Sequence, residues 1–138
     1  MKLKLFFPFT LLIVIIFSSC VDNDIPNMNG MWQLKTIENK DNLISKVDTI
    51  YYSFQRQRIF SYTVLTTNEI GQEQAWVAYG YVDYPSSEEM HIVIDEAFSN
   101  STNSLLWKAM EVNYEIIHLS SKKMTLKYGE EIYSFIKF

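Results

Sequence analysis

The stretch Ile50-Tyr51-Tyr52-Ser53-Phe54-Gln55-Arg56-Gln57-Arg58-Ile59-Phe60-Ser61-Tyr62-Thr63-Val64 contains two short runs in which every second residue is large and apolar. This period of two is typical of a β-strand that buries one of its faces. The residues that share the apolar face are Ile50, Tyr52, Phe54, Phe60, Tyr62 and Val64. With a tight connection at residues 55–57, the stretch predicts an antiparallel hairpin.

The sequence on both sides of this hairpin also predicts strands. Runs rich in β-favouring residues alternate with clusters of Asn, Asp, Ser and Gly, and they predict strands at residues 31–38, 48–55, 58–66, 73–84, 90–95, 111–119, 122–128 and 131–138. Gly80 indicates a bulge or sharp bend in the fourth strand. Eight antiparallel strands are enough to close a sheet, so we predict an all-β, eight-stranded antiparallel up-and-down barrel.

Residues 96–110 leave the alternating pattern. An Asn/Ser/Thr-rich stretch is followed there by Leu105-Leu106-Trp107. This segment predicts either a short helix capped near Asn103 or a long loop that packs apolar residues over one end of the barrel.

The N-terminal segment predicts export. Lys2 and Lys4 precede an apolar run at residues 5–17. A membrane-spanning helix needs about 20 apolar residues, whereas the core of a signal peptide needs about 7 to 15. We therefore interpret residues 1–19 as a cleavable signal peptide.

Cys20, the only cysteine of the chain, follows this run directly after Ser18 and Ser19. The arrangement resembles a bacterial lipobox, although Phe17 stands where Leu is usual. The resemblance implies that Cys20 carries acyl chains such as palmitate, that residues 20–29 form a tether, and that residues 30–138 form one domain. The alternative is an ordinary signal peptide that happens to end in a cysteine.

The charge balance limits the partners. Removal of the signal peptide takes two of the twelve basic residues, which leaves ten against sixteen acidic ones. No basic stripe remains, so nucleic acid is not an expected partner, and the expected contact with a membrane is the lipid on Cys20. Asp22 and Asp24 resemble the surface-export signals of some Gram-negative lipoproteins, which implies the outer membrane of the cell envelope or, beyond it, the cell surface.

A short motif connects the first predicted strand with the last. Gly30-Met31-Trp32 opens strand one, and Lys137 ends strand eight. The G-x-W motif resembles that of lipocalins, and the chain is similar to small lipocalin-like lipoproteins of Gram-negative bacteria, mostly of unknown function. The resemblance implies that Trp32 plugs one end of the barrel and that Lys137 covers it. Otherwise Trp32 is a core aromatic residue of another β-sandwich.

Nothing in the sequence predicts catalysis, a metal site or a cofactor. His91 and His118 lie on different strands without ligand spacing, and no G-x-S-x-G motif is present. The acidic pairs at residues 88–89, 95–96 and 130–131 flank predicted turns, where charged side chains are solvated. We therefore do not expect an enzyme.

Two sets of aromatic residues suggest two kinds of binding. The candidate interior pocket comprises Tyr52, Phe54, Phe60, Tyr62 and Trp76, and the candidate surface platform comprises Tyr51, Tyr79 and Tyr81. Inward aromatic residues would line a pocket for a small apolar or amphipathic ligand. Outward ones would let an envelope or cell-surface protein contact glycans or other proteins. A third interpretation is that both sets only fill the core.

Overall fold

A computed structural model of the chain describes residues 26–56, 58–98 and 109–138. They form nine strands and one 3-10 turn: β1 Gly30–Glu38, β2 Ile44–Lys46, β3 Ile50–Gln55, β4 Ile59–Thr67, β5 Glu73–Ser86, β6 Glu89–Asp95, the 3-10 turn Glu96–Phe98, β7 Glu111–Leu119, β8 Lys123–Tyr128 and β9 Glu131–Lys137. The predicted signal peptide and Cys20 lie outside the described residues. The segment at 99–108, for which we predict a helix or a loop, also lies outside them.

The strands form one antiparallel sheet that closes on itself. From β3 onward each strand pairs with the next along the chain, and β1 pairs with both β3 and β9. This confirms the predicted all-β, eight-stranded antiparallel barrel. The short strand β2 is an addition that the sequence pattern did not predict. It pairs with β1 at Thr36, Ile37 and Glu38, beyond the part of β1 that pairs with β3.

The β3–β4 hairpin has the predicted faces. Ile50 pairs with Val64, Tyr52 with Tyr62 and Phe54 with Phe60. All six side chains point into the barrel and are at most 5% exposed. Because the alternation continues from strand to strand, the inward rows together form a single hydrophobic core.

Strand β5 is longer than predicted. We expected the turn to begin at Pro85, but the strand continues through Pro85 to Ser86. The pairing with β6 shifts register between Asp83 and Ser86. Proline has no N–H to donate to the ladder, and such an irregularity tolerates it within a strand.

Gly80 does not form the predicted bulge, because β5 pairs in regular register with both of its neighbours at this position. A Cβ atom on Gly80 would lie 2.1 Å from the carbonyl oxygen of Val93 and 3.0 Å from the Cα atom of Ile94. The glycine therefore allows a close approach of β5 and β6.

The two ends of the barrel differ, and we name them by their residues. The closed end is the end at which β1 begins with Gly30 and β9 finishes with Lys137. The open end is opposite, where β1 finishes with Glu38 and β9 begins with Glu131. No helix in the described part of the chain is long and apolar enough to cross a membrane.

Candidate functional site

The closed half of the barrel is filled by large side chains. Trp32, Phe54, Phe60 and Phe135 are at most 2% exposed. Phe54 and Phe60 are neighbours, with ring centroids 5.5 Å apart. Met28, which precedes the first strand, is completely buried against the same cluster.

At the closed end, Trp32 contacts residues from the N-terminal and the C-terminal parts of the domain. Its Nε1–H donates to the carbonyl oxygen of Met28 at 2.7 Å. Lys137 Nζ lies 5.1 Å from the centroid of the Trp32 ring and donates to the carbonyl oxygen of Asn29 at 2.6 Å. This is the contact that the G-x-W resemblance implies for Trp32 and Lys137.

Gly30 is required by the same arrangement. Its φ is +120°, which side chains rarely adopt, and a Cβ atom would lie 2.7 Å from Lys137 Cε. The glycine of the motif therefore leaves room for the lysine that covers the tryptophan.

The open half contains a cavity of about 280 Å³. Its lining residues are Leu34, Ile37, Asn39, Leu43, Ser45, Ile50, Tyr52, Tyr62, Glu131 and Tyr133. They come from β1, the β1–β2 connection, β2, β3, β4 and β9. These strands become neighbours only when the sheet closes, so the cavity forms only in the complete barrel.

Tyrosine hydroxyls provide most of the polar atoms deep in this half. The hydroxyls of Tyr52 and Tyr114 lie 2.9 Å apart and share a hydrogen bond. The Tyr133 hydroxyl donates to Glu131 Oε2 at 2.6 Å. The Tyr52 ring also contacts the closed half, with its centroid 4.8 Å from that of Phe135. Tyr52 therefore forms the boundary between the filled half and the cavity.

Burial keeps these hydroxyls neutral. It raises the pKa of Tyr52 well above the usual 10.0, and the neighbouring Tyr114 raises it further. Burial also raises the pKa values of Tyr114 and Tyr133, and that of Tyr84 to about 12. The charged phenolate is disfavoured in this poorly solvated interior, so the groups remain hydrogen-bonding phenols at neutral pH.

The predicted pocket residues divide into three groups. Tyr52 and Tyr62 line the cavity. Phe54 and Phe60 point inward too, but they fill the closed half and do not line the cavity. Trp76 lies opposite Val64, in the inward row of β5, yet it is 41% exposed because it lies near the open end of that strand. Its assignment to the pocket is therefore corrected to the rim.

The predicted platform is not one continuous surface. Tyr79 and Tyr81 are about half exposed and line a groove of about 310 Å³ on the outer wall with Ile59, Gly80 and Asp95. Tyr51 lies two strands away, where its hydroxyl accepts a hydrogen bond from Gln33 Nε2 at 3.1 Å. Its ring packs edge-on against Phe138.

The histidines lie apart from the cavity. His91 Nε2 is 3.8 Å from Glu111 Oε2, and His118 is on β7 opposite Thr125. Within residues 26–56, 58–98 and 109–138, no group of three or more His, Cys, Asp or Glu side chains could hold a metal ion.

Comparison with known protein families identifies the family of the domain. The family model described as a lipocalin-like domain matches residues 15–138, which is most of the chain. The chain belongs to this lipocalin-like domain family. The closed antiparallel barrel agrees with a lipocalin-like fold.

Two solved structures resemble this lipocalin-like domain. A lipocalin-like protein from Bacteroides uniformis is 25% identical, with a TM-score of 0.67, and the match covers 80% of this chain and 97% of that one. An uncharacterized protein from Bacteroides eggerthii is 28% identical, with a TM-score of 0.63, over 80% and 98% of the two chains. A search of curated proteins finds no match.

The sequence pattern does not predict several of the residues that line the cavity of this lipocalin-like domain. Glu131 was interpreted only as part of a turn-flanking acidic pair, and Tyr133 as part of the closing strand. The alternation in β9 does place Tyr133 inward, in the same row as Phe135. Nothing local indicates that this row meets Leu34 and Ile37, because the β1–β9 pairing is distant in sequence.

Proposed function

We propose that this lipocalin-like domain is a membrane-anchored, non-enzymatic binding protein that takes a small apolar or amphipathic ligand into the cavity at its open end. The observation that carries the proposal is the cavity of about 280 Å³ in a barrel whose other half is filled. Its walls combine aliphatic side chains with a few tyrosine hydroxyls. Apolar walls with few polar groups are typical of small-molecule sites.

The cavity limits the size of the ligand. A cavity of about 150 Å³ holds a benzene molecule, so 280 Å³ accommodates roughly ten to twelve non-hydrogen atoms. A long acyl chain would need the closed half as well, where Trp32 and Phe60 are completely buried among their neighbours. We therefore expect a single ring or a short chain with one polar end.

The tyrosines support binding rather than catalysis. A catalytic base or nucleophile needs a pKa matched to the working pH. Burial moves the pKa values of Tyr52, Tyr114 and Tyr133 away from neutrality. Such hydroxyls stay protonated at pH 7 and would position a ligand by hydrogen bonding.

Titration with 1-octanol tests the cavity. The suitable chain is residues 21–138, because the solved relatives are themselves crystallised chains that match 80% of this one over nearly all of their own length. We expect saturable binding by calorimetry, with NMR shifts at Leu34, Ile50 and Tyr133. Absence of saturable binding, or shifts confined to the outer wall around Tyr81, would contradict the proposal.

The proposed anchor rests on the N-terminal sequence. An apolar core at 5–17, small residues at 18 and 19 and a single cysteine support acylation of Cys20. We expect the Cys20→Ser chain to move from the outer-membrane fraction to the soluble envelope fraction, and the mature N-terminal peptide of the unchanged chain to have the mass of an acylated cysteine. Equal membrane association of both chains would exclude the anchor.

The anchor would orient the cavity. The tether reaches the barrel at the closed end, where Met28 and Asn29 are bonded to Trp32 and Lys137. With Cys20 in the membrane, the open end therefore points away from the lipid surface. A ligand would reach the cavity from the aqueous side.

A second candidate function uses the outer-wall groove. Tyr79 and Tyr81 are both exposed on the outer face of β5, and Asp95, which pairs with Tyr79, lines the same groove. Aromatic rings with adjacent polar groups are suited to stacking on sugars. Binding of soluble oligosaccharides should fall in Tyr79→Ala and Tyr81→Ala but not in Tyr51→Ala, which lies on another part of the wall. Equal behaviour of all three variants would reject this candidate.

A further inference from the structure

We propose that the open-end cavity selects ligands whose polar end is a hydrogen-bond donor or a cation, and that it discriminates against carboxylates. This inference rests on the proposed function, because it assigns a chemical class to the ligand of the same cavity. The charge and acceptor character of Glu131 support it, and so do the aromatic rings of the lining.

The described lining of the cavity carries negative charge and no positive charge. Among the ten described residues that line the cavity, Glu131 is the single charged one. A bound carboxylate would meet this negative charge with no lysine or arginine in the lining to offset it. In a partly buried site such repulsion is screened less than at the surface.

One lining group, the Glu131 carboxylate, is a hydrogen-bond acceptor for a donor on the ligand. Each tyrosine hydroxyl has one proton to donate, whereas its oxygen offers two lone pairs. The Tyr133 proton is used on Glu131, and one hydroxyl of the Tyr52–Tyr114 pair donates to the other. The carboxylate of Glu131 accepts only. The Glu131 carboxylate is therefore a strong acceptor for a donor on the ligand, although the Asn39 amide and the Ser45 hydroxyl in the lining can donate.

The aromatic rings add to this preference. Tyr52, Tyr62 and Tyr133 contribute to the wall around the same space. A cation near the face of a tyrosine ring is attracted by the ring quadrupole, more strongly where water is excluded. An ammonium group among these rings, directed toward Glu131, would thus interact favourably with both.

Three probes of matched length test the selection: n-octylammonium, 1-octanol and octanoate. Each has the same apolar chain, so their affinities for residues 21–138 differ mainly through the polar end. We expect octylammonium to bind most tightly at pH 7 and octanoate to bind more weakly than octanol. Binding is measured by calorimetry at physiological ionic strength, which screens the general negative charge of the protein.

Two neighbouring glutamates provide a matched pair of variants. Glu131→Gln removes the charge that lines the cavity, whereas Glu130→Gln removes an exposed charge one residue earlier. Both change the net charge equally. We expect Glu131→Gln to reduce the octylammonium-to-octanoate affinity ratio roughly tenfold, as for a lost charged hydrogen bond, and Glu130→Gln to change it less than twofold.

Tyr133→Phe is an additional test that keeps the charge. It removes the hydroxyl that holds the Glu131 carboxylate at 2.6 Å. We expect a two- to threefold lower affinity ratio, because the carboxylate is less well positioned. Circular dichroism and melting of each variant confirm that the barrel is intact before binding is compared.

The outcomes separate the two proposals. If none of the probes binds, the proposed function of the cavity fails. If octanol binds but octanoate binds at least as tightly as octylammonium, the cavity function stands and the selection is overturned. Equal effects of Glu130→Gln and Glu131→Gln would also overturn it, since the preference would then reflect overall charge.

Discussion

The closed and open ends of this barrel are built from the same kind of strand but differ in how the interior is filled. At the closed end, Trp32 and Phe60 are completely buried, and Lys137 covers the indole. At the open end, the interior contains a cavity of about 280 Å³, lined in part by exposed residues such as Leu43.

The difference teaches that the residues that stabilise the barrel and those proposed to bind a ligand occupy separate parts of one core. Large residues packed without voids contribute most to the free energy of unfolding. Side chains around a cavity make fewer packing contacts, and the cavity leaves space for a ligand. Tyr52 belongs to both parts, since its ring contacts Phe135 below and its hydroxyl bonds to Tyr114 above.

Truncation of one tryptophan at each end should give the largest difference in the free energy of unfolding. Trp32→Ala removes a completely buried side chain, and we expect the free energy of unfolding to fall by about 3–5 kcal/mol. Trp76→Ala, at the 41% exposed rim position, should cost less than about 1 kcal/mol. Urea denaturation followed by circular dichroism measures both, and equal losses would contradict the division into two ends.

Alkaline pH should weaken the domain through its buried tyrosines. A folded-state pKa above the unfolded value means that the stabilisation is complete below pH 10.0 and is lost as pH rises through the folded pKa, about 12 for Tyr84. We expect the urea midpoint to be constant from pH 7 to 9 and to fall above pH 10. Tyr52→Phe should reduce this dependence, and an unchanged dependence would contradict the assignment to that interior hydroxyl.

Removal of the lysine cap should have a smaller effect. Lys137→Met keeps much of the side-chain volume but loses the cation over Trp32 and the bond to Asn29. We expect a loss of about 1 kcal/mol, within the range of cation–aromatic contacts. Lys123→Met, at an exposed position, is the control. A loss in the control as large as in Lys137→Met would argue against a specific cap.

Blocking the cavity should affect stability least. Ser45 is an exposed residue of β2 that lines the cavity. Ser45→Trp should change the free energy of unfolding by less than about 0.5 kcal/mol, since the position is at the surface. Affinity for 1-octanol should nevertheless fall at least tenfold. Unchanged affinity would place the binding site elsewhere.

Much of the fold was predictable because alternation is a local signal. The inward row of β3 and β4, from Ile50 to Val64, follows directly from the period of two. Strand β2 gives no such signal, since its three residues are all exposed. Pro85 misled the prediction of the turn because its unpaired position depends on a register shift that only the partner strand reveals.

The sequence predicts which residues of the candidate site point inward, but not their positions along the barrel. Alternation shows that Phe54, Tyr62 and Trp76 point inward, but it does not show how far each lies along the barrel axis. That depth depends on the stagger between strands, which places Phe54 at the closed end and Trp76 at the rim. Glu131 joins the site only through the long-range β1–β9 pairing.

The seam between β1 and β9 has a consequence for the order of folding. Trp32 pairs with Lys137 across the seam, so residues about a hundred positions apart must meet before the ring can close. Such distant contacts form slowly, because the entropy of closing a long loop precedes any gain from pairing. A partly synthesised chain that lacks β9 has no partner for this edge of β1. The contact of Lys137 with Trp32 is therefore completed only after β9 has been made, and until that moment the unpaired edge of β1 is open to pairing with another chain.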